Sequence, residues 1–396
     1  MATFWVICLV PLVLLVAKLF DRAPPKIFGV YSRPGGLFWP KAVWMLGLLW
    51  LKRLAGRLRP QAPDYYTALE RPQPLPDTAL AVDAVYFNAT NREGDCLFVG
   101  TARRPLRLVD TFLYLKVGEL GLLQLPLLPD SAHFNTGEEL SYQAGGVHIK
   151  CLEPMKVWTV EYQGELREAD DPARLHDVTI KGVFTSGEPC FNSSTDLDVW
   201  SMAKALALEP WSRAFFKNVK AAHQLHYEQF GVLEADVQVG GAAFKLRLDT
   251  VRDHSVGAHR DWASYQRYAL HWLTAANGDH VAIGALCHPG CYSRLHFGYL
   301  YRARDARMLP ISDCDLQLHQ QGEQGTPPRD YAFTFKAGGH AYDVQLTLLR
   351  TPHFYISQRW EAKLYECQCR ARVNGLPAWG GVEWQYRNVG GRPTPQ

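Results

Sequence analysis

The chain opens on an apolar run. Residues 2–20, ATFWVICLVPLVLLVAKLF, hold one charge, Lys18. At the helical rise of 1.5 Å per residue this run reaches about 28 Å, close to a hydrocarbon core of about 30 Å. A cleaved signal peptide wants basic residues before a shorter apolar stretch and small residues after it. Here no Lys or Arg precedes the run, and Asp21-Arg22-Ala23-Pro24-Pro25-Lys26 follows it. The pattern predicts a retained transmembrane helix, residues 1–22.

A second apolar stretch, residues 37–51, is interrupted by Pro40 and Lys41 and followed by Lys52, Arg53, Arg57 and Arg59. It is too short and too basic at its end to span. Trp39, Trp44 and Trp50 suit the water–lipid boundary, and the basic residues suit anionic headgroups. The reading is an interfacial helix lying on the membrane; a helix packed against the body is the alternative. Lys and Arg accumulate after the first run and none precede it, which puts the body on the cytosolic side of the endoplasmic reticulum or another endomembrane. The triplets Asn88-Ala89-Thr90 and Asn192-Ser193-Ser194 could accept sugar only in a lumenal body.

Residues 60–77 are rich in proline and read as a linker. From residue 79 the period shortens to two. Val82, Ala84 and Tyr86 alternate, a turn follows at residues 91–95, and Cys96-Leu97-Phe98-Val99 returns, a hairpin signature. Strand-like runs continue to residue 184. Then the period lengthens: Ser194-Thr195-Asp196 offers an N-cap, and Leu197, Trp200, Ala205 and Leu206 suit a helix that Pro210 ends. Residues 211–223 form a second helical run, and strands resume at Gly231. The chain thus divides into residues 23–77 as interfacial helix and linker, 78–195 as a first β-domain, 196–230 as a helical connector and 231–390 as a second β-domain. The class is mainly β, with two consecutive antiparallel barrels or sandwiches.

Composition sharpens this picture by exclusion. Charged residues are 20% and hydrophobic residues 47%, as in an ordinary globular protein, and the net charge of +3 leaves no nucleic-acid footprint. Of the nine cysteines, Cys287 and Cys291 and the pair Cys367 and Cys369 suggest zinc knuckles. The Cys-x-Cys spacing puts both thiolates on one strand face, a poor start for a tetrahedron. No phosphate loop, dinucleotide fingerprint, Gly-x-Ser-x-Gly elbow or His-Glu-x-x-His motif is present. No metal centre and no cofactor is expected.

The densest polar cluster is Arg252-Asp253-His254-Ser255 followed by Arg260-Asp261-Trp262. An Arg beside a carboxylate keeps it ionised and oriented, and His exchanges protons near neutral pH. A second group, His226, Glu228 and Gln229, precedes it. Arg-Asp pairs at a barrel end also serve as structural clamps, so structural and catalytic readings both stand. The closing segment, residues 374–387, reads as turns and a last strand, architecture more than chemistry.

These residues carry a resemblance. HYEQFG at 226–231, RDHS at 252–255, RDW at 260–262, FGYLYR at 297–302 and the ending WGGVEWQYRN are similar to the two-barrel, lipocalin-like family of the carotenoid hydratases (hydroxyneurosporene synthase type), which shares its fold with tocopherol cyclase. VDAVYFNATNREGDCLFVG and FFKNVKAAHQLHYEQFG resemble more closely the N-terminal module of animal phosphoenolpyruvate-synthase-like proteins. Their phosphotransfer domains have no counterpart here, so no phosphotransferase activity is implied. The chain departs from the family at Val256, where an aromatic is usual, and at Ala258-His259, which looks like an insertion. The resemblance implies two lipocalin-like barrels, one of which takes an apolar ligand, isoprenoid or lipid-like, from the membrane. For an enzyme it implies protonation of a carbon–carbon double bond, then hydration, isomerisation or cyclisation. The expected acids are Asp253 or Asp261, with His254 relaying the proton and Arg252 and Arg260 orienting the carboxylates. Trp262 and Tyr268 are expected to stabilise cationic charge, with His226, Glu228 and Gln229 lining the ligand. The rival is a non-catalytic binding or scaffold module.

Overall fold

The computed structural model describes residues 23–58 and 64–393. The expected anchor, residues 2–20, lies outside them. Among the described residues no helix is long and apolar enough to cross a membrane. The first helix, α1 (Phe38–Arg57), is followed by a short α2 (Tyr65–Leu69).

Period-two alternation then builds twelve strands: β1 (Val82–Thr90), β2 (Cys96–Arg103), β3 (Leu108–Lys116), β4 (Leu123–Gln124), β5 (Ala132–Phe134), β6 (Tyr142–Ala144), β7 (Val147–Glu153), β8 (Val157–Glu168), β9 (Leu175–Thr185), β10 (Phe191–Asn192), β11 (Leu225–Val239) and β12 (Ala242–Gly257). Between β10 and β11 lie α3 (Val199–Leu208), capped by Asp198 on Ser201 N at 2.8 Å, and α4 (Arg213–Ala221), capped by Ser212. The cap of α3 is Asp198 and not the expected Ser194-Thr195-Asp196. Eight of the strands close a ring in the order β11-β12-β1-β2-β3-β4-β8-β9, because β9 pairs with both β8 and β11.

The second ring starts only at β13 (Arg267–Ala275) and continues through β14 (His280–His288), β15 (Tyr292–Arg302), β16 (Arg307–Cys314), β17 (Asp330–Ala337), β18 (His340–Arg350), β19 (His353–Ile356), β20 (Ala362–Val373) and β21 (Leu376–Arg387). Pairing of β18 with β20 closes it, leaving β19 as an outer strand on β20. The two-barrel class is as expected, but the expected division at residue 231 is not. The long β11–β12 hairpin belongs to the first ring, where β12 pairs with β1 from Val82↔Gly257 to Thr90↔Asp249. Alternation tells that residues 231–257 are strand; it is silent about which sheet receives them.

The expected linker is also built in. Glu70, just past α2, is 1% exposed and sits inside the first barrel, while Gln73 N donates to Asp83 Oδ2 at 2.7 Å. The first barrel's interior is filled by Phe87, Trp158, Phe184 and Leu233, the second's by Trp384, Phe335, Val382 and Val344. Their outer faces pack on each other, as where Phe112 stacks on Phe354 at 4.3 Å between centroids. Gly381 makes this approach possible, since a Cβ there would lie 2.1 Å from the Asn88 amide. The eight described cysteines are free thiols. Burial pushes Cys369 up to about 12, far from a thiolate.

Candidate active site

A cavity of about 310 Å³ lies between the barrels. This corrects the expectation of a ligand inside one barrel: the interiors are packed, and the space is where two convex outer faces meet. Its apolar walls come from Phe112 of β3, Leu270 and Trp272 of β13, Phe297 of β15, Phe354 of β19 and Leu364 of β20. Leu197 and Met202 of the α3 region close one side.

Strand alternation divides the predicted cluster between two environments, because neighbours on a strand point to opposite faces. On β12, Asp253 and Ser255 face the cavity, while Arg252 and His254 point into the first barrel and are fully buried. Arg252 Nη1 donates to Glu70 Oε1 at 2.8 Å, Nη2 donates to Gln229 Oε1 at 3.0 Å, and the guanidinium lies 5.2 Å from the Trp158 ring and 5.3 Å from that of Tyr227. His254 Nε2 is 2.7 Å from Asp83 Oδ1, and its Nδ1 meets the Tyr227 hydroxyl at 2.5 Å. Arg252, His254 and Gln229 thus belong to a buried structural network and do not reach the cavity. The expected relay through His254 is ruled out by the direction of its side chain. Asp261 caps the short turn that follows it, its Oδ1 accepting from Ala263 N at 3.0 Å, and does not line the cavity.

The others do converge. His226, Arg260, Trp262 and Tyr268 line the cavity with Asp253. Glu228 stands directly behind His226, its Oε1 2.9 Å from His226 Nε2, and Trp272 Nε1 donates to its Oε2 at 3.2 Å. On the other side of the ring, Nδ1 lies 2.8 Å from Ser255 Oγ and 3.7 Å from Asp253 Oδ2. Burial opposes charge on His226, but Asp253 and the hydrogen-bonded Glu228 outweigh it and raise the imidazole to about 9. His226, Glu228 and Asp253 could offer three ligand atoms within 4.8 Å of one another to a cation. Here the two carboxylates address opposite nitrogens of one ring. The geometry is that of an imidazolium held between two carboxylates. Asp253 itself is raised, by burial first and then by the charge of Glu228.

Two carboxyls escaped the sequence reading. Glu366 of β20 and Glu383 of β21 are directly opposite each other across the strand pair. Both are buried, and Glu383 opens on the cavity. Tyr86 donates to Glu366 Oε2 at 2.8 Å and Asn88 Nδ2 donates to the Tyr86 oxygen at 2.7 Å. The Tyr268 hydroxyl donates to Glu383 Oε1. No Lys or Arg forms an ion pair with either glutamate among the described residues. Burial raises Glu366 well above the ordinary carboxyl range and the charge of Glu383 adds to it; burial also raises Glu383, against the lowering effect of Glu366 and of the Tyr268 hydroxyl. Two buried carboxyls that face each other without a counter-ion oppose a second negative charge, which favours a proton on the pair. The only sequence signal was a lone Glu amid apolar neighbours in YECQC and GVEWQY; their facing register is a product of strand pairing.

The cavity therefore combines aromatic walls with a facing pair of buried carboxyls and an imidazole set between two carboxylates. No curated protein matches the chain. Among solved structures, an AttH-type protein from Nitrosomonas europaea has a TM-score of 0.48 at 12% identity, covering 84% of this chain and 100% of that one. Kievitone hydratase from Nectria haematococca has a TM-score of 0.42 at 12% identity, covering 79% of this chain and 90% of that one. CghA bound to Sch210972 has a TM-score of 0.42 at 10% identity, covering 78% and 89%. At such scores these likenesses transfer no residue role. A family model does cover nearly the whole chain, residues 4–386, and the chain belongs to that family of unknown function, DUF8627.

Proposed function

We propose that the protein binds an apolar small molecule, isoprenoid or lipid-like, between its barrels and protonates a carbon–carbon double bond in it. The observation that carries this reading is the buried Glu366–Glu383 pair, raised above the ordinary carboxyl range and opening through Glu383 on an aromatic cavity. In the step itself the O–H bond of the Glu383 carboxyl breaks and a C–H bond forms, leaving a carbocation. Water then adds and returns its proton to Glu383, or a neighbouring C–H gives its proton back to Glu383 and the double bond moves. Before the step the proton of the pair passes from Glu366 to Glu383, and either return restores the pair. Trp262, Trp272 and Tyr268 offer π faces to the cation. The acid role thus shifts from Asp253 and Asp261 to Glu383, with Asp253 and His226 as neighbouring polar groups.

The same reading keeps the protein on a membrane, where such a ligand resides. Residues 2–20 serve as the single-pass tether and the body faces the cytosol of the endoplasmic reticulum or another endomembrane, supported by the basic residues that follow the tether. Asn88 is buried between the barrels, so only Asn192 is an informative glycosylation reporter. A glycosidase-sensitive shift lost in Asn192→Gln would put the body in the lumen.

Native mass spectrometry of the detergent-purified full chain tests the ligand, and incubation of that complex in heavy water tests the chemistry. Deuterium is expected on a ligand carbon with the wild type, and Glu383→Gln is expected to retain the ligand without labelling it. A chain that carries no apolar molecule, or labelling unchanged in Glu383→Gln, overturns the proposal.

A further inference from the structure

Helix α1 is apolar on every side, and the fold uses only one of them. Ala42 and Met45 are buried, and Met45 packs on Ala203 and Leu206 of α3 and Phe215 of α4. Lys41 Nζ donates to Glu209 O at 2.6 Å and lies 5.1 Å from the Trp211 ring, and Arg53 Nη2 donates to Leu197 O. These bonds fix the helix's roll about its axis. The opposite face is bare: Trp39, Val43, Trp50, Leu51, Leu54 and Leu58 are each between 53% and 78% exposed. At 100° per residue Trp39, Trp50, Val43, Leu54, Leu58 and Leu51 fall in one sector of about 120°. Arg57 falls at the Trp39 edge of that sector and is exposed. The first turn of the helix holds no acidic residue.

A contiguous apolar face on a folded protein marks a partner surface. We infer that this face of α1 seats in the headgroup–acyl boundary of an anionic phospholipid bilayer. Two tryptophans and Arg57 at one margin of the face match the chemistry of that boundary, where aromatic rings sit at headgroup depth and basic side chains meet lipid phosphates. The apolar residues 2–20 lie only some eighteen residues upstream of α1, which keeps any bilayer they enter within reach.

The docking holds whether or not the cavity carries out chemistry. If the cavity is a ligand site, docking also has a consequence for access. The underside of α1 rests on Met202 and Tyr292, through the cluster that includes Met45, Leu46 and Leu49. Met202 and Tyr292 also line the cavity. Side chains of one apolar cluster thus reach both the lipid-facing helix and the inter-barrel space.

The test uses the full chain in vesicles, with an environment-sensitive fluorescent residue in place of Leu54 and, in a second sample, of Leu152 on β7, which is also exposed. In vesicles of phosphatidylcholine and phosphatidylserine the residue at position 54 is expected to shift to the blue and to be quenched by brominated acyl chains; that at 152 is expected to stay in water. Arg57→Glu is expected to weaken the quenching at 54 while the chain remains in the vesicle fraction. Position 54 remaining in water overturns the inference. A blue shift without lipid quenching, accompanied by cross-links from position 54 to another chain, overturns it in favour of a protein partner.

Discussion

Of the buried carboxylates among the described residues, Glu70 and the Glu366–Glu383 pair are built in opposite ways. Inside the first barrel, Glu70 meets Arg252 Nη1 at 2.8 Å, the Tyr227 hydroxyl at 2.7 Å, Trp158 Nε1 at 2.8 Å and Met155 N at 3.1 Å. Between the barrels, Glu366 and Glu383 meet tyrosine hydroxyls and face each other. The first site gives a buried charge a counter-charge and enough donors to replace its water. The second gives it neither, which favours a retained proton. Burial alone marks neither structure nor chemistry; the presence or absence of a matched cation separates them.

The largest effect is expected where that matching is broken. Arg252→Met strands Glu70 in the barrel and is expected to cost about 3–5 kcal/mol in urea unfolding, and adding Glu70→Gln is expected to recover much of it. A loss below about 1 kcal/mol would show that the network is not a matched pair. Next comes the unmatched site. Glu383→Gln is expected to slow deuterium transfer to a bound ligand by roughly 10²–10⁴-fold, with unfolding free energy changed by less than about 1 kcal/mol, because a neutral amide replaces a group that is already neutralised.

The same pair has a pH signature. A carboxyl raised by folding contributes stability that is complete below its unfolded value, near 4.5, and is lost as pH rises toward the folded value. Unfolding followed from pH 4 upward is therefore expected to weaken in the wild type and to weaken less in Glu366→Gln. A wild-type curve that rises over this range through the influence of other groups still tests the point through the difference between the two proteins.

Gly381→Ala probes the joint between barrels and is expected to cost about 1–3 kcal/mol, because its methyl meets the Asn88 amide. His226 sharpens the comparison last. Raised to about 9 from 6.5, it contributes stability present below pH 6.5 and lost as pH climbs through about 9. His226→Asn is expected to flatten that slope by on the order of 1–2 kcal/mol, since the ring is partly open to solvent. An unchanged slope would remove the imidazolium from the cavity.

Much of the architecture was legible because periodicity is local. The alternation in residues 82–103 and 267–286 became β1–β2 and β13–β14, and the longer period after residue 196 became α3 and α4. The division at residue 231 misplaced a hairpin, because the pairing partners of β12 on β1 lie 159 to 175 residues away, from Thr90↔Asp249 to Val82↔Gly257. For the site, the RDHS segment pointed to the right strand and the wrong residues on it: one strand step separates Asp253, at the cavity, from Arg252 and His254, inside the barrel.

By itself the sequence determined the kinds of element, their order, the apolar run at residues 2–20, the basic and tryptophan-rich helix and the absence of familiar nucleotide and hydrolase motifs. Those are properties of neighbours along the chain. Only the tertiary structure decided that β11 and β12 close the first barrel, that Glu70 neutralises Arg252 and that Glu366 faces Glu383. It likewise decided that the cavity lies between barrels. The physical reason is common to all four: each depends on which strands pair and which face turns inward, and a carboxyl's protonation follows from the distant groups that pairing brings beside it.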